Sequence, residues 1–150
     1  MAVVVVLSNG SRLVMYGNPP TKVSSGSLEL QVDGATGNDA AAAMDQLNAS
    51  IVGQYPGGTG QKPSVTAAAW DPVTGWVVAR TNPGGGQGCA EAACVGRLID
   101  LGSNPADIQI LAPASRAGYD GNPTPIDPCP ACQAAFPGQF YTSGGIPWEQ

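Results

Sequence analysis

The sequence contains no histidine, and that absence excludes more chemistry than any other feature of its composition. A Ser-His-Asp or Cys-His catalytic set cannot be built from it, nor can an H-E-x-x-H metal site. If a metal is bound, its soft ligands are cysteines, and there are only four. Positive charge is nearly as scarce. Arg12, Lys22, Lys62, Arg80, Arg97 and Arg116 are the only basic residues, and they leave a net charge of −5 and a pI near 4.3. Such a chain has no broad basic face for phosphates, so any contact with nucleic acid has to be local and made through few of them. Arg80, Arg97 and Arg116 are each expected to be ordinary surface charges. Long apolar runs are missing too. The longest, Ala2–Leu7, is far shorter than the ~20 residues that span a bilayer, so no membrane segment is expected. It has no basic n-region and no cleavage site, so it does not read as a secretory signal. The abrupt Met-Ala-Val-Val start is what a segment cut from a longer protein would show.

What the sequence does have suits a folded globule. Hydrophobic residues make up 43% and charged residues 11% of 150, which bounds the chain at one domain with a core of ordinary size. With 21 glycines and 14 prolines, much of it must be loop.

Periodicity places the elements. "AVVVVL" and "RLVMY" flank the turn "SNG" and read as a hairpin, and "SLELQV" (27–32) alternates as a strand. Residues 38–54 read as a helix capped by Asn38 or Asp39, with Met44, Leu47 and Ile51 on one face. "YPGGTGQKP" (55–63) is a linker. Strands over 64–70 and 76–82 enclose the turn "DPVTG". After the flexible "PGGGQG" (83–88), a helix runs from about Cys89 to Leu101 and is stopped by Gly102. A strand over 106–113, a Gly/Pro/Asp-rich loop over 114–127, a short helix from about Cys129 to Pro137 and one more short strand in 139–150 complete the chain. From residue 38 the order is helix, strand, strand, helix, strand, helix. That order predicts an α/β fold in three layers, a mixed β-sheet flanked by helices, with residues 1–34 as a lead-in of strands and turns within one compact unit. Trp70 and Trp76 are expected to pack on the sheet.

The chemistry sits at two helix starts. Cys89 and Glu91 occupy the first turn of one helix. Cys129 and Cys132, three apart on one face, occupy the first turn of another. Three thiolates from two helix starts describe a three-thiolate zinc site with its fourth position open, as in catalytic rather than structural sites. The thiolates blunt the metal's acidity, the helix N-termini oppose that, and Glu91 is placed to move a proton.

"CAE" followed by "PCPAC" (128–132) resembles the signature of the zinc-dependent cytidine deaminase superfamily, [H/C]-x-E … P-C-x-x-C. The resemblance covers about residues 38–137 and implies a cytidine-deaminase-like fold, with the deaminase domain over 35–150. It implies Cys89, Cys129 and Cys132 as ligands of one Zn2+, Glu91 as proton shuttle, and Pro128 as the proline before the C-x-x-C. It suggests Asn82 as a contact to sugar or base, beside the reading of Asn82 as a turn residue. The free-nucleoside enzymes carry an F-x-E-x-N-type stretch before the motif and a basic residue after the second C-x-x-C cysteine. Here the first is absent and Gln133-Ala134 follows Cys132. The hairpin, the glycine-rich approach and the irregular N-terminal lead look more like the deaminase toxin domains of bacterial polymorphic toxins. That likeness implies deamination of cytosine in DNA, single-stranded rather than duplex. It also implies delivery as a secreted effector into a target-cell cytoplasm and a cognate immunity protein as partner. Tyr119 or Trp76 would stack on the base; for Tyr119, loop packing weighs equally.

Other readings stand beside this one. A free cytidine or deoxycytidine deaminase is the nearest enzyme, and a non-enzymatic zinc-stabilised binding module is the rival from another class. A structural zinc with Cys94 as fourth ligand is disfavoured, because Cys94 lies about 140° round the helix from Cys89 and points into the core. Two disulfides would leave the placement of Glu91 unexplained, and a thioredoxin-like role lacks its βαβ start.

Overall fold

The computed structural model describes residues 2–6, 12–16, 27–52, 65–81, 89–116 and 123–149. Over them the chain is an α/β fold built on one mixed sheet. In chain order the strands are β1 (Ala2–Val6), β2 (Arg12–Tyr16), β3 (Ser27–Gln31), β4 (Val65–Trp70), β5 (Trp76–Thr81), β6 (Gln109–Leu111), β7 (Ala114–Arg116), β8 (Thr124–Ile126) and β9 (Phe140–Tyr141). The helices are α1 (Gly37–Val52), α2 (Ala90–Asp100) and α3 (Pro130–Ala135). The main path across the sheet is β1-β2-β3-β5-β4-β6-β9, with β7 on β4 and β8 on β7. Every pairing is antiparallel except β6 with β9, which are joined through α3 and run parallel. β3 pairs with both β2 and β5, so the N-terminal strands are continuous with the rest of the sheet.

β4 shows why there are three layers. Its "VTAAAW" is buried on both sides: Ala68 and Trp70 join the core under α1, while Ala67 and Ala69 join the core under α2 and α3. The alanines let both helices approach the sheet closely. Under α1 the first core gathers Leu28, Leu30, Ala40, Ala43, Met44 and Leu47, and Trp70 meets Tyr141 of β9 edge-on. On the other face Val78, Cys94, Leu98, Ile110, Cys132 and Phe140 form the second core. Met44 and Leu47 are buried as their spacing predicts. The Ile51 side chain lies outside the described residues, as do the linker 55–63 and the approach 83–88.

Boundaries follow local chemistry. α1 begins at Gly37, one to two residues before the expected caps, because Asp39 reaches back to accept from the N–H and hydroxyl of Thr36 at 2.8 and 3.1 Å, as the acid of a capping box does. α2 ends as expected: Gly102 takes φ 102°, its N–H donates to Ile99 and the Ser103 N–H donates to Leu98, a Schellman cap. The 71–75 turn is held by Asp71, which accepts from the Val73 N–H and the Thr74 hydroxyl at 2.9 Å each. Gly75 at φ 83° closes it where any Cβ would strike the Val32 carbonyl.

Two expectations are corrected. The strand placed over 106–113 is confined to β6, because Pro105 starts a 3-10 turn (Pro105–Asp107) capped by Asn104. The loop placed over 114–127 holds two strands, β7 and β8. β6 and β7 lie end to end along β4, the first beside Ala69 and Trp70 and the second beside Val65 and Thr66. Among the described residues no helix is long and apolar enough to cross a membrane.

Candidate metal centre

Cys89 is the N-cap of α2, in extended backbone, and its side chain caps nothing. That position usually holds Ser, Thr, Asp or Asn, whose oxygen satisfies a helix N–H. A thiol there gives up helix stability and leaves a sulfur at the lip of the helix. Cys129 is the N-cap of α3, with Pro130 in the first turn, where a missing N–H costs nothing. Its Sγ accepts from the Cys132 N–H at 3.4 Å. The chain ahead of it is pinned by Gln133, whose side-chain amide donates to the Pro128 carbonyl at 2.8 Å, and Pro128 itself is buried. Cys132 is buried in the second core, Cys89 is half-buried and Cys129 is exposed.

The fold brings these three together. The sulfurs of Cys89, Cys129 and Cys132 all lie within 4.8 Å of one another. They form a group that could hold a metal ion, presented from solvent on one side and the core on the other. The structure joins the sulfurs of Cys89 and Cys132 as a disulfide and leaves Cys129 free, yet the Cα atoms of the joined pair are 7.4 Å apart. Disulfides ordinarily span 4.4–6.8 Å between Cα atoms. Two sulfurs each about 2.3 Å from a tetrahedral zinc stand about 3.8 Å apart, so an ion between them suits this wider backbone better than a direct bond. Three soft sulfur donors on two helix starts could therefore hold a metal ion.

Glu91 lies in the first turn of α2, only 4% exposed. It is outside the three-sulfur group. Burial pushes its carboxyl up from the ordinary value, opposed by a bond from its own backbone N–H. A carboxyl whose proton is held more tightly than usual is better suited to carrying one.

Cys94 is in the core, as its helical angle predicts. Its Sγ donates to the Ala67 carbonyl at 3.4 Å, and burial, with the charge of Glu91 behind it, pushes the thiol up to about 12. It is a protonated packing residue and not a fourth ligand, which also leaves no second disulfide.

Other expectations change. Arg97 is no ordinary surface charge: it makes an ion pair with the buried Glu29 of β3, through Nε to Oε1 and Nη2 to Oε2. Arg80 and Arg116 are also half-buried. Trp70 packs on the sheet as expected. Trp76 packs there too, and it lies at the turn end of β5, whereas Thr81 at the other end leads towards Cys89. Asn82 and Tyr119 lie outside the described residues.

Sequence reading missed a cavity of about 310 Å3 on the α1 side, walled by Met44, Asp45, Leu111, Ser115, Pro125 and Thr142. It sits across the sheet from the sulfurs and depends on β7 and β8, for which the sequence carries no local signal. No protein-family model, curated protein or solved structure matches the chain.

Proposed function

We propose that this protein is a zinc-dependent deaminase that converts cytosine to uracil in single-stranded DNA. One observation carries the reading: three cysteine sulfurs from two helix starts lie within 4.8 Å of one another, with a buried glutamate two residues from the first. The motif order, "CAE" then "PCPAC", supports it as a likeness to the deaminase superfamily.

Cys89, Cys129 and Cys132 would hold the ion and leave its fourth position to solvent. Zinc bound there supplies a Lewis acid that makes water nucleophilic near neutral pH. The chain's own part is proton movement. Glu91 takes one proton from the attacking water and hands it to the ring nitrogen, then takes the second from the hydroxyl now on C4 and hands it to the amine as the C4–N bond breaks, so that water and cytosine become uracil and ammonia. Burial raises that carboxyl above its ordinary value, which favours its taking up a proton. An unpaired base needs no duplex opened around it, which suits a chain with six basic residues. By the same likeness, the domain acts as the toxin part of a secreted effector in the cytoplasm of a target cell, and its producer keeps an immunity protein.

The test is uracil formation by zinc-loaded protein on single-stranded oligonucleotide, duplex and free deoxycytidine, with Glu91→Ala as control. Uracil in the single strand alone, lost in Glu91→Ala with zinc retained, is the expected result. Turnover of deoxycytidine only would move the protein to the nucleoside enzymes. Bound zinc with no turnover on any substrate would make it a binding module.

A further inference from the structure

Two basic side chains share the face of the sheet that carries the sulfurs. Arg80 of β5 pairs in register with Ala67, and Arg116 of β7 pairs with Val65. Val65 and Ala67 are two apart on β4, so both arginines project to one side, one on each flank of that strand. The side is that of α2: Ala67, Val78 and Ala114, which share it, lie in the core with Cys132 and Ala90. The direction of α2 fixes the end. Cys94 in its middle reaches the Ala67 carbonyl, and Ser103, just past its C-terminus, comes within 3.5 Å of Thr74 in the 71–75 turn. The Cys89 end of α2 must therefore overlie the Val65 end of β4, where Arg116 and Arg80 are.

Both arginines are half-buried, and both Nε atoms are buried without a hydrogen-bond partner among the described residues. Arg97, by contrast, is paired with Glu29. A buried N–H left unpaired is costly. Guanidinium presents a planar fork of donors that matches phosphate. In a chain of net charge −5, a polyanion needs such a local foothold to approach the sulfurs.

We propose that Arg80 and Arg116 form a clamp for the phosphates that flank the target cytosine. The proposal rests on the function above for the identity of the ligand, and it names how an acidic protein would hold a nucleic acid with two contacts.

Binding of a fluorescent single-stranded oligonucleotide carrying one cytosine, measured by anisotropy on zinc-loaded Glu91→Gln protein, tests it without turnover. With two phosphates held, log K against log salt should slope about −1.4. Arg80→Gln and Arg116→Gln should each weaken binding about tenfold and flatten the slope by about 0.7, with zinc content and circular dichroism unchanged. Should either glutamine variant fail to fold, Arg80→Lys and Arg116→Lys keep the charge and should bind with intermediate affinity. Methylphosphonates at the flanking phosphates should weaken binding to the arginine-bearing protein and make no difference to the double variant. Unchanged affinity and slope in both glutamine variants, or a methylphosphonate effect that survives in the double variant, would overturn the clamp. Uracil formation is scored on the same panel with Glu91 restored. Turnover with arginine-independent binding removes the clamp alone, and arginine-dependent binding without turnover removes the deaminase reading alone.

Discussion

The Cα atoms of Cys89 and Cys132 stand 7.4 Å apart while their sulfurs are near enough to bond. The first residue occupies the N-cap position of α2, the second lies in the first turn of α3, and both pack on the same core. Metal and oxidant therefore compete for one pair of sulfurs. With zinc bound, diamide should leave both thiols intact. After chelation it should join Cys89 to Cys132, and intact mass should show the loss of two hydrogens. A pair that oxidises equally fast with zinc present would put the ion elsewhere.

Cys94 should behave unlike Cys89 and Cys129. Its thiol is buried, bonded to Ala67 and pushed up to about 12, so it has almost no thiolate at neutral pH. Iodoacetamide on reduced, metal-free, folded protein should label the exposed Cys129 and the half-buried Cys89 and spare Cys94, read by peptide mass. Cys94→Ala should keep the metal and cost about 1 kcal/mol in a urea melt. Loss of the metal in that variant would contradict its role as packing.

The Glu29–Arg97 pair ties β3 to α2 across the second core. Arg97→Ala leaves a carboxylate that is 1% exposed without this partner. Breaking a fully buried pair costs about 3–5 kcal/mol; because Arg97 is itself partly exposed, about 2–3 kcal/mol is expected by denaturant unfolding. Combining Arg97→Met with Glu29→Leu should recover most of that loss. A double variant no better than the single would show that the charge pair is not what holds the two elements.

Asp71 gives the fold a dependence on acid. Burial raises its carboxyl, and bonds from Ser103, Val73 and Thr74 outweigh that and hold it below the ordinary value. A carboxyl lowered by folding contributes stability above its unfolded value of about 3.9, and that contribution fades as pH falls through the folded value. Asp71→Asn should therefore melt below the native protein at pH 7, by about 1–3 kcal/mol. The gap should close as pH drops below about 4. A gap of constant size would mean that the carboxylate charge is not what matters at the turn.

Much of this was legible because it is local. The helix from Cys89 to Gly102 announces itself by apolar spacing and a terminal glycine, the hairpin around "DPVTG" by its turn residues, and the C-x-x-C by its spacing. The angle of Cys94 on its helix was enough to send it into the core. What escaped was long-range. β7 and β8 are three residues each, sit among prolines and glycines, and are strands only because β4 offers Val65 and Thr66 an open edge. Glu29 finds Arg97 across 68 residues of chain. Arg80 and Arg116 meet on one face through the registers of two separate pairings, which no periodicity encodes.

X-ray absorption at the zinc edge of the reconstituted protein tests the central claim most directly. The account predicts one zinc per chain, with three sulfurs at about 2.3 Å and one oxygen or nitrogen at about 2.0–2.1 Å, unchanged in Cys94→Ala and lost in Cys132→Ser. Four sulfurs around the ion, or a protein that takes up no zinc with all its thiols reduced, would contradict it.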